Sequence, residues 1–306
     1  MHTKLYIIGN GFDLYHGLPT KYSEFADYIL QISPETLNIC KYTLETNEYW
    51  CDLEKSLGEL IPEDLIQDLE VHAPSYGAED WSDSGHHDFQ FEVDKILNSI
   101  VKELPVLLRN WIVGIENNFK YYYNSKRLRC IDINGLYLNF NYTCSLTKIY
   151  NISRNQVMYV HGESLNINST LIYGHGYHHE NDIKQLNRDY GCVNGEGDPR
   201  YEEVIHMIDS YFVNTKKPVE KIISENIIFF NNLNNISEIF VIGHSLSVVD
   251  LPYFVEVIRK TATNNVKWFV SYKFEQEKVS FWSKLIELGV SADSINFCNC
   301  DNLLTC

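Results

Sequence analysis

The chain has 306 residues, of which 44% are hydrophobic and 22% are charged, and its formal net charge at pH 7 is −16. This composition is ordinary for a globular protein with one large domain, or with one domain and an insertion. The excess of acidic residues argues against sequence-independent nucleic-acid binding, which depends on Lys and Arg side chains that neutralise phosphates.

Three further features limit the class of protein. No apolar run reaches the roughly 20 residues of a membrane span, and the amino terminus lacks the pattern of a signal peptide. None of the eight cysteines forms a C-x-x-C pair, so the usual knuckle of a structural zinc site is missing from the sequence. We therefore expect a reduced, cytoplasmic protein with no membrane partner.

Short apolar runs, most of which end in glycine or a small polar residue, predict the strands. In chain order they lie at 5–11, 135–141, 157–162, 171–176, 238–245, 266–272 and 294–300. Their continuous apolar character indicates strands that are buried on both faces of a parallel sheet. Helical patterns near 252–262 and 277–289 alternate with the last strands. The sequence therefore predicts an α/β, Rossmann-like, mostly parallel doubly wound sheet.

The segment between the first two predicted strands has a different character. Residues 26–130 show helical periodicity, interrupted by a turn-rich acidic stretch at 73–90, and we interpret them as a helical insertion. A polar segment at 178–200 has no clear period and is predicted to be a surface loop. The predicted nucleotide-binding domain consists of residues 1–25 and 131–306.

Polar side chains follow five of the predicted strands. The tails read GNGFD (9–13), NFNYT (139–143), HG (161–162), GHG (174–176) and GHSL (243–246). Ligands bind outside the carboxyl ends of parallel strands, so we expect these tails to line one small-molecule site. Glycine allows a ligand to approach the backbone closely, and free N–H groups before a helix can hold a phosphate. Gly9, Asn10 and Gly11 are the predicted phosphate donors.

Two long stretches resemble a known family. IIGNGFDLYHGLPTKYSEF at 7–25 and IGHSLSVVDLPYF at 242–254 resemble the bacterial AbiH family, which is associated with abortive infection of phage-attacked cells. WCDLE at 50–54 is similar to a tryptophan-acid segment of that family. The resemblance implies an antiviral defence role in phage resistance, with a phage-derived trigger among the partners.

The strand tails also resemble, in the same order, the NAD-binding motifs of the sirtuins. The matching positions are Gly9, Gly11, Gly17 and Pro19 in G-A-G-x-S-x-x-x-G-I-P, Asn141 in T-Q-N-x-D, His161 at the catalytic histidine, and Gly243, Ser245 and Leu246 in G-T-S-L-x-V. Thr143 replaces the aspartate of the second motif, and Tyr22 replaces an arginine that follows the first. The zinc-binding cysteine pairs of sirtuins are missing, so protein deacetylation is not implied.

The sirtuin-like pattern implies NAD or a related nucleotide as ligand and hydrolysis of its N-glycosidic bond, without a metal. Such a reaction passes through an oxocarbenium-like ribose. Asn141 is predicted to orient a hydroxyl or a water, His161 to accept a proton, and Asp13 to stabilise positive charge. The predicted nucleotide-binding residues are Gly9, Asn10, Gly11, Phe12, Gly17, Pro19, Asn139, His175, Gly243, His244, Ser245 and Asp250.

Each predicted role has a structural alternative. The alternative for His161 is a core histidine bonded to a carbonyl, for Asn141 a turn residue, and for Asp13 and Asp250 a helix N-cap. His175, together with His178, His179 and Glu180, has the residue types of a transition-metal site, but the glycines that flank it favour a loop.

For the whole protein the alternatives are an enzyme, a nucleotide-sensing module without turnover, and a nuclease, which the acidic composition disfavours. The sequence is compatible with a homo-oligomer and leaves the strand order and the identity of the nucleotide open.

Overall fold

The computed structural model describes residues 2–44, 50, 53–73, 87–191 and 197–299. Parts of the predicted stretches 50–54, 73–90, 178–200 and 294–300 lie outside these residues.

The chain divides into two compact units. The first consists of Met1–Lys21, Arg109–Ile172 and Pro218–Cys306, and the second of Tyr22–Leu108 and Tyr173–Lys217. The second unit contains residues 26–108 of the predicted insertion together with 173–217, whereas 109–130 belong to the first unit.

The first unit is built on a six-stranded parallel sheet. The strands are β1 Lys4–Ile8, β2 Leu136–Asn139, β3 Val157–Tyr159, β4 Glu238–Ile242, β5 Lys267–Tyr272 and β6 Ile295–Asn299. Their order is β3-β2-β1-β4-β5-β6, and every neighbouring pair is parallel. The predicted Rossmann-like α/β fold is therefore confirmed.

The helices account for most of the remaining described residues. In chain order they are α1 Asn10–Tyr15, α2 Tyr22–Ile32, α3 Pro34–Thr43, α4 Leu53–Gly58, α5 Pro62–Leu69, α6 Asp88–Asn98, α7 Leu104–Asn117, α8 Phe119–Tyr122, α9 Ser145–Tyr150, α10 Glu180–Asp189, α11 Pro199–Thr215, α12 Val219–Glu225, α13 Ile227–Asn231, α14 Leu251–Thr261 and α15 Glu275–Glu287. Within the described residues, no helix combines the length and the apolar composition that a bilayer span needs.

Two local predictions were wrong. Residues 171–176 form no strand, and His175 makes only an isolated bridge to Lys216, because Gly174 takes a φ of 143° and turns the chain. The predicted loop at 178–200 contains helix α10. This helix buries a single residue, Leu186, and is strongly polar overall, so its sequence offers no apolar stripe wide enough to mark it as a packed helix.

The sheet is apolar on both faces. Alternate residues of the four central strands join α12 to α15 in one buried core, as alternation along a strand requires: Leu5, Ile7, Leu136, Leu138, Ile239, Val241, Trp268 and Val270. On the opposite face a ladder of parallel aromatic rings crosses the same strands, from Tyr137 to Tyr6, Phe240 and Phe269. Burial on both sides explains why the strands read as continuous apolar runs.

Strands β1 and β4 are neighbours, yet the chain leaves them in opposite directions across the sheet. β1 is followed by β2 on one side, and β4 is followed by β5 on the other side. Such a reversal is the topological switch point at which open α/β sheets bind ligands. It brings the turns that start at Gly9 and Gly243 together.

Glycines make the contact between these two turns. A Cβ atom on Gly9 would lie 2.6 Å from the Gly243 carbonyl oxygen, and one on Gly11 would lie 2.7 Å from the Gly243 Cα. Gly243 itself has a φ of 63°, and a Cβ there would lie 2.3 Å from the Phe12 amide nitrogen. Side chains at all three positions are therefore excluded by sterics, and at Gly243 also by the backbone conformation.

We expect Gly243→Ala to lower the free energy of unfolding by on the order of 3 kcal/mol, because alanine would be strained in the left-handed conformation and its Cβ would overpack the contact with Phe12. The matched control is Gly114→Ala in α7, where a Cβ meets nothing within 4 Å. This control should stabilise the protein by up to about 1 kcal/mol, since alanine favours helix. Urea unfolding midpoints measure both effects. Equal stability of the Gly243 variant and the wild-type protein would contradict the steric assignment.

Candidate functional site

The turns after β1 and β4 are joined by main-chain hydrogen bonds. The Gly9 amide donates to the Ile242 carbonyl at 3.0 Å, and the Gly11 amide donates to the Gly243 carbonyl at 2.8 Å. The Phe12 amide donates to the Gly9 carbonyl at 3.0 Å. The predicted phosphate cradle at Gly9 and Gly11 therefore lacks their N–H groups, which are already bonded within the protein.

A second turn folds the chain back onto α1. The Asn10 side chain donates to the Thr20 carbonyl at 2.7 Å and accepts from the Thr20 hydroxyl at 2.6 Å. Gly17 takes a φ of 88°, which the turn requires, and Pro19 lies in the same turn. This part of the predicted nucleotide-binding set fixes the shape of the loop, and Phe12 packs beneath it against His16 and Tyr150.

Asp13 is a buried carboxyl group in the first turn of α1, with 1% of its surface exposed. The Thr143 hydroxyl donates to its Oδ2 at 2.6 Å, whereas its Oδ1 has no hydrogen-bond partner among the described residues. The N-cap of α1 is Gly9 and no side chain caps the helix, so the capping alternative for Asp13 was wrong.

Burial raises the pKa of Asp13 from 3.8 to about 6. The hydroxyls of Ser145 and Thr143 oppose the shift, the charge of Glu116 adds to it, and the Asn141 amide opposes it again. A carboxyl group that is incompletely hydrogen-bonded and titrates near neutral pH is typical of a functional site.

The tail of β2 holds two buried asparagines in a closed network. The Asn139 side chain donates to the Asn141 carbonyl and accepts from the Asn141 amide, both at 3.2 Å. The Asn141 side chain donates to the Gly9 carbonyl at 3.1 Å. Asn141 therefore ties the β2 tail to the β1 turn and lies beside Asp13, which agrees with its turn-forming alternative, while its predicted role in orienting a ligand stays a prediction.

The Asp250 carboxylate lies between two imidazole rings, that of His161 on the β3 tail and that of His244 on the β4 tail. Asp250 Oδ1 is 3.5 Å from His161 Nε2, and Asp250 Oδ2 is 3.7 Å from His244 Nε2. These distances are within ion-pair range and longer than a normal hydrogen bond. All three side chains are buried, and the Phe140 ring packs edge-on against both imidazoles.

The alternative role of Asp250 was helix capping. It does occupy the N-cap position of α14, but its side chain makes no capping hydrogen bond. The alternative for His161 was a bond to a carbonyl, and its Nδ1 indeed lies 3.1 Å from the Phe140 carbonyl oxygen. That contact leaves Nε2 facing Asp250, so His161 has both a structural bond and an acidic neighbour.

Ser245 and His175 complete the predicted set. Ser245 is exposed after the β4 turn. His175 belongs to the second unit, where its Nδ1 accepts from the Tyr177 amide at 3.1 Å. Burial and the nearby His179 lower the pKa of His175 to about 4, so it is neutral at physiological pH. Among the described residues no group of three or more metal-ligating side chains forms, His178 and Glu180 included.

The tryptophan-acid segment lies in the second unit. Trp50 is fully buried at a φ of 52°, which is unusual for a bulky residue. Glu54 accepts hydrogen bonds from the Tyr22 hydroxyl at 3.2 Å and from the buried Lys217 ammonium at 2.9 Å. In this structure, therefore, the Glu54 carboxylate is an internal ion-pair partner.

Sequence reasoning missed three members of the site. Thr143 donates to Asp13, although the sequence reading treated it only as a departure from a motif. The nearby Ser145 hydroxyl, which accepts from Thr143 at 3.2 Å, lowers the pKa of Asp13, and the like charge of Glu116 raises it. The polar run after β2, NYTCS, carried a signal for the two hydroxyls, whereas Glu116 is 29 residues before Ser145 and carried none.

We predict that Asp13→Asn changes the pH dependence of stability. The folded protein binds the Asp13 proton more tightly than the unfolded chain does, so wild-type stability falls as pH rises from about 4 to about 6. Above pH 6 the burial of the carboxylate costs on the order of 3 kcal/mol. The asparagine variant, which keeps an acceptor for Thr143, should therefore be more stable than wild type at pH 8 and should lose this advantage near pH 4.

Thermal melting at both pH values measures the effect, and Asp293→Asn on the surface of the same unit is the control. An Asp13→Asn advantage of the same size at pH 4 and pH 8 would show that the carboxyl does not titrate as described.

Residues 5–272 match the family model described as bacteriophage abortive infection AbiH. The match begins in β1 and ends with β5, so it includes Asp13, Asn141, His161 and Asp250. No curated protein matches the chain.

Proposed function

The chain belongs to the AbiH family, and on that premise we propose that it binds NAD or a related nucleotide at the carboxyl edge of its sheet and hydrolyses the N-glycosidic bond. Family membership implies a role in abortive infection by bacteriophage. The nucleotide and the reaction are the proposal, and they rest on the sirtuin-like order of the motifs and on the polar groups that the fold brings together.

The Asp13 carboxyl group is the observation that carries the proposal. Above pH 6 it is ionised, buried, and has one oxygen without a hydrogen-bond partner among the described residues. Such an anion is poorly stabilised alone and is strongly stabilised by a nearby positive charge. Glycosidic cleavage develops positive charge on the ribose, which an ionised carboxylate that is already in place would stabilise.

Of the remaining groups, His161 would take up a proton, and Asn141 would position the water or a ribose hydroxyl. A water oxygen forms the new bond to the ribose anomeric carbon, and the bond to nicotinamide breaks with its electron pair leaving on the nicotinamide nitrogen. The water loses a proton, and we assign its uptake to Nε2 of His161. The Asn141 side chain, beside Asp13, would orient the water or a ribose hydroxyl.

The phosphates require donors other than those first predicted. Since the Gly9 and Gly11 amides are bonded within the protein, the contacts are assigned to the exposed Ser245 hydroxyl and to the second N–H of the exposed Asn10 amide, whose other N–H bonds to Thr20. The glycines then contribute by allowing these two turns to meet, rather than by donating to the ligand.

We expect the purified protein, or the protein in phage-infected cells, to release nicotinamide from NAD. Asp13→Asn should lower kcat by about 10²-fold or more, because it removes the charge that stabilises the transition state. The surface variant Asp293→Asn is the control and should retain activity. Chromatography of nicotinamide and plaque counts measure the two outcomes. Full phage protection by Asp13→Asn, together with no nicotinamide release by wild type, would reject the proposal.

The second candidate is a nucleotide sensor without turnover. One observation favours it: Asp13 is buried and the Gly9 and Gly11 amides are bonded within the protein, so the carboxyl edge of the sheet is closely packed there. In that case calorimetry should show NAD binding, and the ligand should raise the melting temperature by mass action, while no nicotinamide forms. Steady nicotinamide release by wild type that Asp13→Asn abolishes would exclude this alternative.

A further inference from the structure

His161, Asp250 and His244 form a buried group in which the Asp250 side chain makes no capping hydrogen bond to α14 and faces the two imidazoles instead. We propose that Asp250 is a positioning residue that orients His161 and stabilises it after it accepts a proton, and that His244 in turn holds Asp250. This assignment rests on the proposed function, since it concerns the group that takes up the proton. The experiments distinguish failure of this role for Asp250 from failure of the proposed function.

The hydrogen bond of His244 fixes its tautomer. Its Nδ1 accepts from the Leu246 amide at 2.9 Å, so in the neutral ring the proton is on Nε2. That N–H faces Asp250 Oδ2 at 3.7 Å. The contact holds the carboxylate from one side without requiring any proton transfer. In the neutral ring, His244 therefore directs an N–H group, rather than a lone pair, at Asp250 across a distance longer than a hydrogen bond.

His161 has the opposite arrangement. Its Nδ1 lies 3.1 Å from the Phe140 carbonyl oxygen, which can only accept, so this nitrogen carries the proton of the neutral ring. Nε2 then presents a lone pair toward Asp250 Oδ1 at 3.5 Å. A lone pair beside a carboxylate is unfavourable until Nε2 receives a proton. A proton that Nε2 accepts from water is then stabilised by the adjacent Asp250 carboxylate.

The surroundings strengthen both contacts. The side chains of His161, His244 and Asp250 are at most 8% exposed, so water screens their charges weakly. Asp250 also precedes α14, a helix of 11 residues, whose amino-terminal dipole favours a negative charge. The Asp250 side chain makes no capping hydrogen bond, and its two oxygens are directed at the imidazoles.

A double-mutant cycle tests the proposal without knowledge of the substrate. Asp250→Asn, His161→Gln and the double variant are compared by plaque counts on phage-infected cells. Because Asp250 acts through His161, the double variant should be no worse than His161→Gln alone. Asp293→Asn is the surface control. Additive losses in the double variant would overturn the proposal.

Kinetics separate positioning from a structural role. With NAD, Asp250→Asn should lower kcat by about 10²-fold and leave KM unchanged, since the substrate is bound as before and the proton acceptor is weakened. A rise in KM with unchanged kcat would contradict the positioning role of Asp250. If wild type releases no nicotinamide, the proposed reaction fails, whereas the cycle on phage protection still decides the role of Asp250.

A measurement on the wild-type protein covers the case in which Asp250→Asn fails to fold. Nitrogen NMR of imidazole-labelled protein, assigned with His161→Gln and His244→Gln, reports which ring nitrogen carries the proton. We expect Nε2–H for His244, and a proton on Nδ1 for His161. The reverse tautomer at either histidine would show that Asp250 does not hold the pair as proposed.

Discussion

The structure of the first unit depends on the close contact between three glycines at the junction of β1 and β4. Gly9 and Gly11 lie against Gly243 so closely that a Cβ atom on either would lie within 3 Å of Gly243 atoms. The amides of Gly9 and Gly11 then bond to carbonyls at the end of β4. This closure fixes where the two turns leave the sheet, and therefore where their polar side chains are placed.

From this junction two polar clusters with different electrostatics follow. Asp13, on the β1 side, is surrounded by neutral donors and a like charge, and burial raises its pKa to about 6. Asp250, on the β4 side, faces two imidazoles and begins an 11-residue helix. Under the proposed function, carboxylates in such different environments would take different roles. The first is suited to respond to a positive charge, and the second to hold a proton acceptor.

Most of the fold could be predicted from the sequence, because buried parallel strands leave continuous apolar runs and the βαβ alternation sets the class. The strand order could not be predicted, since it depends on which non-local strands pair. The strand expected at 171–176 failed because two glycines within a short apolar run outweigh its composition. Helix α10 was missed because only Leu186 of its residues is buried.

Of the candidate site, the sequence indicated which strand tails carry polar residues but not how their groups interact. The glycines were predicted to donate to a phosphate, but the amides of Gly9 and Gly11 bond within the protein. That pairing depends on the β1–β4 contact, which a local motif does not show. Asp250 was weighed as a helix cap because its position before Leu251 and Pro252 has that pattern. Its side chain instead faces histidines that are 89 and 6 residues away in the chain.

Two positions that were compared with the sirtuin motifs, 13 and 143, contact each other in the structure. Thr143 stands where the sirtuin-like motif has an aspartate, and its hydroxyl donates to Asp13 at 2.6 Å. A carboxylate at position 143 would lie against Asp13 and would add a second like charge to that of Glu116, which already raises the Asp13 pKa. Buried like charges so close together cannot all stay ionised without a cation. The Thr143 hydroxyl therefore keeps the pKa of Asp13 lower than an aspartate at this position would.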